Sequence, residues 1–560
     1  MKKTRKSWIA IMSALLIAST ALGACSNSNN GNNKPEASPS GSSGESTPSS
    51  NNASASPAGF QLGSQPLKFS MYGNYDWLTL DPWADDVPTK WIQDNLKVTI
   101  EPVQSGGAAQ QKFSTMLATD DLTDVLLLDR GPDVEKLRQA GKLIPLDDYY
   151  NKYPNFKKWM GDETINMLRS SDGHIYQMPN WYTTSSNGNA GYLINRKVYK
   201  ELGSPKLETF DDLYAYLQKV KATYPDMVPL ETDVEAQGVQ ILASGFGEGY
   251  SPNWPGQNRA VPVDGKFVSI FTDPVFNETM KYASKLFREK LMTQDSLTEK
   301  KEQVFEKLTN GKVAVFASYS VLENQINAAN TVMRKNDPDS GYEVIWPVHK
   351  EGVSKDKVFP NNYNKLGWNV NVITTAAKDP EAIFAFMDWL TGPEGMSTLY
   401  FGPKGKYWNE MDANDYPVLN DTWFNTPQED KDKDKLGRWA WVGNTTYLDT
   451  MKMANNAKMK PEQVQWPDTQ QSAVTWKTSQ DLTAFVNLMP AGDTEAGIAK
   501  TAVDEIFKKY YAQALFAKSD EEVDNILKKA QDEAMSQGYQ KLLDYETEAW
   551  QNNLKQMAGK

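Results

Sequence analysis

Polar and aromatic side chains follow two predicted strands of this chain at the points where the strands end. The first strand begins with the alternating apolar residues of 67–71, and the second is the continuous apolar run at 125–128. Open α/β sheets bind ligands at the carboxyl ends of their strands, so we expect both turns to face a binding cleft. The candidate side chains are Asn74, Asp76 and Trp77 in the first turn and Asp129 and Arg130 in the second.

These groups suit the recognition of a sugar. Sugars present apolar ring faces edged with hydroxyl groups, so their sites combine aromatic rings with carboxylates, amides and guanidinium groups. The chain has 17 Trp and 25 Tyr, although both types also serve protein cores. Asp129 and Arg130 have a second interpretation, in which they bind each other as a structural ion pair.

Other chemistries have less support in the sequence. His174 and His349 are the two histidines, and neither lies in a zinc-binding spacing. The 71 acidic residues guarantee some pair of carboxylates by chance, so their number is no evidence for glycoside hydrolysis. The alternating Asp and Lys at 430–434 lack the glycine and distal Glu of a calcium loop. We therefore expect a binding protein without catalytic residues, metal or cofactor.

The amino terminus resembles a lipoprotein export signal. Four basic residues precede a short apolar run at 8–22, which closes on Leu-Gly-Ala and Cys25. Because Cys25 is the single cysteine of the chain and falls where a lipid thioether would form, we expect a signal peptide at 1–24 and lipidation of Cys25. The alternative is an ordinary signal peptide with a chance cysteine. Residues 25–59, almost all Ser, Asn, Gly, Pro and Ala, predict a flexible tether.

Charge and hydropathy limit the possible partners. The net charge of −12 becomes about −16 without the signal peptide, and an acidic body gains nothing from counterion release on phosphate backbones. We therefore expect no nucleic-acid partner. No later segment offers about 18 consecutive apolar residues, so the expected membrane contact is the lipid alone.

The remaining 500 or so residues alternate predicted strands and helices, which indicates an α/β body. Further strands are predicted at 98–100, 313–316 and 342–346. Thr209 and Asp212 have the spacing of a helix capping box. Residues 495–556 are mainly helical in pattern and predict a helical cap on one lobe.

Several segments together resemble the family 1 extracellular solute-binding proteins, in the lipoprotein branch associated with carbohydrate importers. The acidic turn at 119–126 is similar to the family's Gly-Asp-Leu-Pro-Asp element, with Thr123 in place of the proline. The run Gly-His-Ile-Tyr-Gln-Met-Pro at 173–179 is similar to its Gly-Lys-Ile-Tyr-Gly-Leu-Pro element. Further similar blocks follow in the family's order at 191–213, 310–314 and 379–390.

The resemblance implies a type 2 periplasmic-binding-protein-like fold, with two α/β lobes joined by hinge crossovers and a helical carboxy-terminal region. Lobe 1 is expected at 60–180, completed by about 320–370, and lobe 2 at 181–319, completed by about 371–560. Crossovers are expected near 178–181, 317–319 and 367–372. Such a cleft closes on its solute by hinge motion.

The same resemblance implies aromatic sugar contacts near the crossovers and in the loops of the second lobe. The resulting candidates are Trp181, Tyr182, Tyr250, Tyr319, Trp368, Asn369 and Trp441, with Trp439 as a weaker one.

The implied function is capture of an oligosaccharide by a lipid-anchored monomer at the outer face of the cell membrane, and delivery to an ABC permease. Two alternatives share the same anchor. One is a surface enzyme that degrades polysaccharide, and the other is an adaptor that presents bound sugar to a receptor.

Overall fold

The computed structural model describes residues 59–460, 464 and 466–558. The predicted signal peptide, Cys25 and all but the last residue of the predicted tether lie outside these residues.

Strands and helices alternate along the first part of the body, as the apolar pattern predicts. In chain order the elements are β1 (Leu67–Gly73), α1 (Val87–Leu96), β2 (Val98–Val103), α2 (Ala109–Thr119), β3 (Val125–Asp129), α3 (Pro132–Gln139), α4 (Asp147–Lys152), α5 (Pro154–Asn166) and β4 (Gln177–Asn180).

The middle part continues the alternation. Its elements are β5 (Gly191–Asn195), α6 (Arg196–Glu201), α7 (Phe210–Thr223), β6 (Val228–Glu231), α8 (Gly238–Ala243), β7 (Ala260–Val263), β8 (Lys266–Ser269), α9 (Pro274–Arg288), α10 (Lys301–Thr309), β9 (Val313–Ser318), α11 (Asn324–Asn336) and β10 (Tyr342–Ile345).

The last part is richer in helix. Its elements are β11 (Asn361–Tyr363), β12 (Asn369–Ile373), α12 (Pro380–Thr391), α13 (Pro393–Phe401), β13 (Trp408–Met411), β14 (Pro417–Leu419), α14 (Asp421–Asn425), α15 (Gln428–Asp432), α16 (Thr445–Asn456), α17 (Trp466–Gln470), β15 (Ser479–Asp481), α18 (Glu495–Leu515), α19 (Asp520–Ser536) and α20 (Tyr539–Met557).

The first lobe is built on a five-stranded sheet in the order β2-β1-β3-β12-β4. Strand β1 is parallel to β2 and β3, and β12 is antiparallel to β3 and β4. The apolar residues 125–128 of β3 are buried on both faces, between two apolar clusters. This confirms the prediction that this run is a buried parallel strand.

The second lobe is built on a four-stranded sheet in the order β10-β5-β9-β6. Strand β9 is parallel to β6 and antiparallel to β5, and all six of its residues are buried. The predicted capping box begins α7, because the amide of Asp212 donates to Thr209 Oγ1 and the amide of Thr209 donates to Asp212 Oδ2. The predicted carboxy-terminal helices form α18, α19 and α20, whose apolar faces join the core of this lobe.

One expectation about the lobes is wrong. Residues 320–370 do not complete the first lobe, and residues 317–319 are not a crossover, because β9 and β10 both belong to the second sheet. The chain returns to the first sheet at β12, and helices α12 and α13 pack there. The crossovers are therefore residues 181–190 and 346–368, with a third passage after α16.

The crossover segments pair with each other. Strand β11 lies in the second crossover and β15 in the third passage, and the two form a parallel two-stranded ribbon. None of the helices in the described residues is both long and apolar enough to cross a lipid bilayer.

Candidate functional site

The ends of β1, β3 and β12 meet at one edge of the first sheet. The amide of Asn74 donates to the carbonyl of Leu127 at 2.8 Å, which fixes the turn after β1 against β3. Asn369, the first residue of β12, lies opposite Asp129, the last residue of β3. The predicted turns therefore converge at this edge, as the carboxyl-end rule requires.

Three aromatic rings cover this edge, and we call Tyr75, Trp77 and Trp368 the aromatic platform. Tyr75 lies 5.3 Å from Trp77 and 5.4 Å from Trp368 between ring centroids, and the two indoles are 6.2 Å apart. Trp77 is 63% exposed and Trp368 is 43% exposed, so both keep apolar surface in contact with solvent. Large exposed aromatic surface of this kind marks interaction sites.

The floor beside the platform is polar. The hydroxyl of Tyr75 donates to Asp129 Oδ1 at 2.6 Å. Asn369 is fully buried and its Oδ1 accepts from Asn180, while its Nδ2 donates to no acceptor in the described structure. A buried donor without a partner costs free energy unless a ligand or water satisfies it.

Arg130 does not pair with Asp129, so the alternative of a structural ion pair between them is not observed. Its Nη1 donates to the carbonyl of Leu366 at 2.8 Å, and its Nε lies 3.3 Å from Asn487 Oδ1. Burial lowers the pKa of Arg130 to about 10, an effect that the charge of Asp129 partly offsets. Arg130 therefore joins the first lobe to two crossover segments and remains a cation.

Two other predicted residues of the first turn have structural partners. Asp76 is exposed, and its Oδ1 accepts from the amide of Ala109 at 2.7 Å, which caps the start of α2. Asn74 is half-buried, and its Nδ2 donates to Gln110 Oε1 at 3.0 Å.

Tyr182 and Tyr250 are core residues, contrary to the prediction that they face the ligand. Tyr182 is fully buried, and its hydroxyl lies 2.7 Å from Thr391 Oγ1. Tyr250 is also buried, and its hydroxyl donates to Asp273 Oδ2 at 2.8 Å. Both phenols satisfy their hydroxyl groups inside the protein, and at most 6% of either residue is exposed.

The remaining tryptophans of the prediction differ in exposure. Trp181 and Trp441 are half-buried, and the carbonyl of Trp441 accepts from Asn371 Nδ2 at 2.5 Å. Trp439 is buried against Trp83, with the ring centroids 5.0 Å apart. Its role is therefore in packing.

The carboxyl edge of the second sheet carries a cavity of about 590 Å³. Tyr319 follows β9 there, and its hydroxyl donates to Gln240 Oε1 at 2.9 Å. Arg259 Nε pairs with Asp504 Oδ1 at 2.9 Å on the same wall. The volume falls in the usual range of small-molecule sites. Its lining includes Tyr319, Gln240, Gln257, Arg259, Asp504 and Tyr511.

The sequence analysis did not predict several of these side chains. Tyr75 lies between two predicted residues. It could have been predicted as well, because it is an aromatic residue in the turn after a strand. Gln240, Gln257 and Asp504 come from three separate segments, and no local pattern links them. In the described part of the chain, no group of three or more His, Cys, Asp or Glu residues could hold a metal ion.

Comparison with known proteins places this arrangement in a family. Residues 80–397, more than half of the chain, match the family described as bacterial extracellular solute-binding protein. Lipoprotein LipO of Bacillus subtilis (strain 168) is 23% identical over 334 residues, which cover 58% of this chain and 63% of LipO. The match thus spans less than two thirds of that relative.

Two solved structures share the fold over nearly all of their length. Alginate-binding protein AlgQ2 has a TM-score of 0.63 at 18% identity and covers 87% of this chain and 98% of its own. The S. pneumoniae ABC-transporter substrate binding protein FusA in complex with kestose has a TM-score of 0.60 at 17% identity, covering 87% and 99%. The two-lobe α/β architecture is therefore shared with solute-binding proteins. Together with the motifs in the sequence, the family match means that the chain belongs to the bacterial extracellular solute-binding proteins.

Proposed function

We propose that this chain captures an oligosaccharide or a related carbohydrate between its two lobes and delivers it to the permease of an ABC importer. The observation that carries the proposal is the aromatic platform, which exposes two indoles directly beside the polar groups of Asp129, Arg130 and Asn369. A pyranose or furanose ring has an apolar face and an edge of hydroxyl groups. The aromatic rings match the face, and the neighbouring hydrogen-bond donors and acceptors match the hydroxyl groups.

The second lobe supports the same ligand class. Its cavity combines phenols, amides, carboxylates and a guanidinium group at the carboxyl edge of the second sheet. A ligand drives closure to the extent that it binds the closed state better, so contacts from both lobes are needed. Among the similar structures, AlgQ2 is named as an alginate-binding protein and FusA was solved in complex with kestose, which favours a saccharide for this chain as well.

We propose that the protein acts as a lipid-anchored monomer outside the cytoplasm. The name of the relative LipO, a lipoprotein, supports this assignment, as does the sequence that leads to Cys25. The protein would hold its ligand without changing it, because Asp129 is engaged by Tyr75 and the family consists of binding proteins.

The test is a thermal-unfolding screen of the purified protein against oligosaccharides, with peptides and metabolites as comparison. A ligand present at about 100 times its dissociation constant adds about 2.7 kcal/mol to the free energy of unfolding. We expect an upward shift of the midpoint for one class of glycan, which chromatography then recovers intact. A panel without any shift for glycans would refute the carbohydrate assignment, and cleavage of the glycan would show an enzyme.

A further inference from the structure

Trp181 is held in an unusual conformation at the start of the first crossover. Its φ is +56°, in the left-handed region that bulky side chains rarely adopt. The ring lies over Gly443, where an added Cβ would come within 2.7 Å of it. Its indole N–H donates to no acceptor within the described residues. Backbone strain of this kind persists where the surrounding structure holds the residue in place. Here the backbone of Gly443 packs against the ring.

Tyr400, in α13, packs against Trp181. Its ring meets Trp181 edge to face, with centroids 6.4 Å apart and an interplanar angle of 75°. Both rings pack against the small apolar cluster that α13 shares with α16. Tyr400 is half-buried, and its hydroxyl has no hydrogen-bond partner among the residues described. Burial and the nearby charge of Asp449 both raise the pKa of Tyr400, so the phenol remains a neutral donor.

Asp449 lies near Tyr400, because its charge acts on that phenol. It lies on α16 one turn after Thr445 and Thr446, on the face of the helix that contacts the crossover. The amide of Thr445 donates to the carbonyl of Tyr182 at 3.0 Å, and the amide of Thr184 donates to Thr446 Oγ1 at 2.6 Å. These two bonds fix the position of Asp449 relative to the chain that carries Trp181.

The carboxylate of Asp449 has no partner of its own. It is half-buried, and it forms no hydrogen bond or ion pair with any residue of the described chain. Burial raises the pKa of Asp449 to about 6, an effect that the charge of Lys452 partly offsets. A carboxylate partly removed from water without a donor is unusual, because such groups normally recover their hydration energy through protein hydrogen bonds.

The segment that carries Trp181 touches the segment that carries Trp368 of the aromatic platform. The backbone of Gly367, directly before Trp368, touches the other crossover so closely that an added Cβ would lie 2.0 Å from the carbonyl oxygen of Asn180. Trp181 and Trp368 therefore project from two crossover segments in direct contact.

We propose that Trp181, Tyr400 and Asp449 form a second carbohydrate subsite next to the aromatic platform, in which Asp449 accepts hydrogen bonds from ligand hydroxyl groups. The proposal rests on the proposed function and adds a requirement to it. Trp181 and Tyr400 supply ring surface and two donors, and Asp449 supplies two acceptor oxygens. A glycan must contain more than one residue to occupy both the platform and this subsite.

The experiment compares glycans of increasing length by titration calorimetry with the full-length protein. The probes are fructan, alginate, α-glucan and β-mannan ladders of one to six residues. The variants are Asp449→Asn, Trp77→Ala as a change in the platform, and Asp532→Asn as the matched control on an exposed face of α19. Thermal unfolding of each variant reports any loss of stability.

We expect Asp449→Asn to weaken binding of the longer glycans about tenfold, with the shortest bound glycan unaffected and the melting temperature unchanged. Trp77→Ala should weaken all lengths, and Asp532→Asn none. If Trp77→Ala weakens binding and Asp449→Asn has no effect, or the same effect at every length, the subsite is wrong and the carbohydrate function stands. If the wild-type protein binds none of the ladders, both are wrong.

Discussion

The hydroxyl of Tyr75 donates to Asp129 Oδ1 across 2.6 Å, and the same ring contacts Trp77 and Trp368. One side chain thus positions both the carboxylate and the two indoles of the proposed site. Because hydrogen bonds to a carboxylate are stronger than neutral ones, this contact fixes the geometry of the edge formed by β1 and β3.

Tyr75→Phe removes that hydrogen bond and keeps the ring. We expect the free energy of unfolding to fall by about 1 kcal/mol, and ligand affinity to fall about fivefold because Asp129 is no longer held. Chemical denaturation and calorimetry measure the two effects. Tyr545→Phe, on an exposed part of α20, is the control and should change neither. Unchanged affinity in Tyr75→Phe would mean that Asp129 needs no support.

Trp77→Ala tests the platform without damaging the core, since this indole is 63% exposed. We expect a loss of affinity of about 1–2 kcal/mol, which corresponds to a factor of about 5–30, and a melting temperature close to that of the wild type. Trp368→Ala should behave in the same way, with a somewhat larger loss of stability. Phe516→Ala removes an exposed ring far along the chain and serves as the comparison. Equal affinities in all three variants would contradict the platform.

Gly443→Ala places a Cβ within 2.7 Å of the ring of Trp181. We expect a loss of about 1–3 kcal/mol in the free energy of unfolding, because an overpacked site forces the ring or the backbone to move. The double variant with Trp181→Ala should recover most of that loss, since the obstructing ring is gone. A double-mutant cycle in urea gives the coupling directly. Additive effects would show that the two residues do not interact.

The buried Glu546 predicts how the free energy of unfolding depends on pH. Its side chain is buried on α20, and burial raises its pKa to about 8, although Lys500 and Asn258 partly oppose the shift. Between its unfolded pKa of about 4.3 and pH 8, the folded state therefore binds more protons than the unfolded state. Its contribution to stability is present below this window and is lost as pH rises through it. Glu546→Gln should abolish this loss and exceed the wild type in stability by more than about 1 kcal/mol at pH 8.

The matched measurement is a pair of denaturation series from pH 5 to pH 9. Glu548→Gln, two residues further along the same helix and exposed, should leave the slope of stability against pH unchanged. If the free energy of unfolding changes with pH equally in the wild type and in Glu546→Gln, the pH dependence does not come from this buried carboxyl group.

Cys25→Ser tests the anchor. Without the thiol no thioether forms, so we expect the protein to leave the membrane fraction and to lose incorporation of labelled palmitate. Ser26→Ala, the neighbouring position, should keep both properties. Fractionation of cells followed by detection of the protein measures the outcome. A Cys25→Ser protein that stays in the membrane fraction would point to another mode of attachment.

Local features of this chain were predictable from the sequence. The buried strand at 125–128, the capping box of Thr209 and Asp212 and the carboxy-terminal helices depend on neighbours within one or two turns. The edge that carries Asp129 also followed from the carboxyl-end rule, whereas Asn369 was expected there only through the crossover that the family resemblance implies.

Features that depend on distant pairing were not predictable. Nothing local makes β10 pair with β5, so the predicted completion of the first lobe was wrong. Tyr182 and Tyr250 carry both an apolar ring and a hydroxyl group, and a tyrosine that satisfies its hydroxyl in the core has the same local sequence as one that binds a ligand. Tyr400 meets Trp181 and lies near Asp449 through the packing of α13 on α16, which no spacing in the sequence reveals.

The parallel ribbon of β11 and β15 has a mechanical consequence. Two backbone strands that are hydrogen-bonded side by side can bend out of their common plane, but their hydrogen bonds resist sliding of one strand past the other. A hinge built on such a ribbon moves mainly by bending. The two lobes should therefore return to the same relative orientation in every cycle, and a membrane partner would meet one reproducible outline.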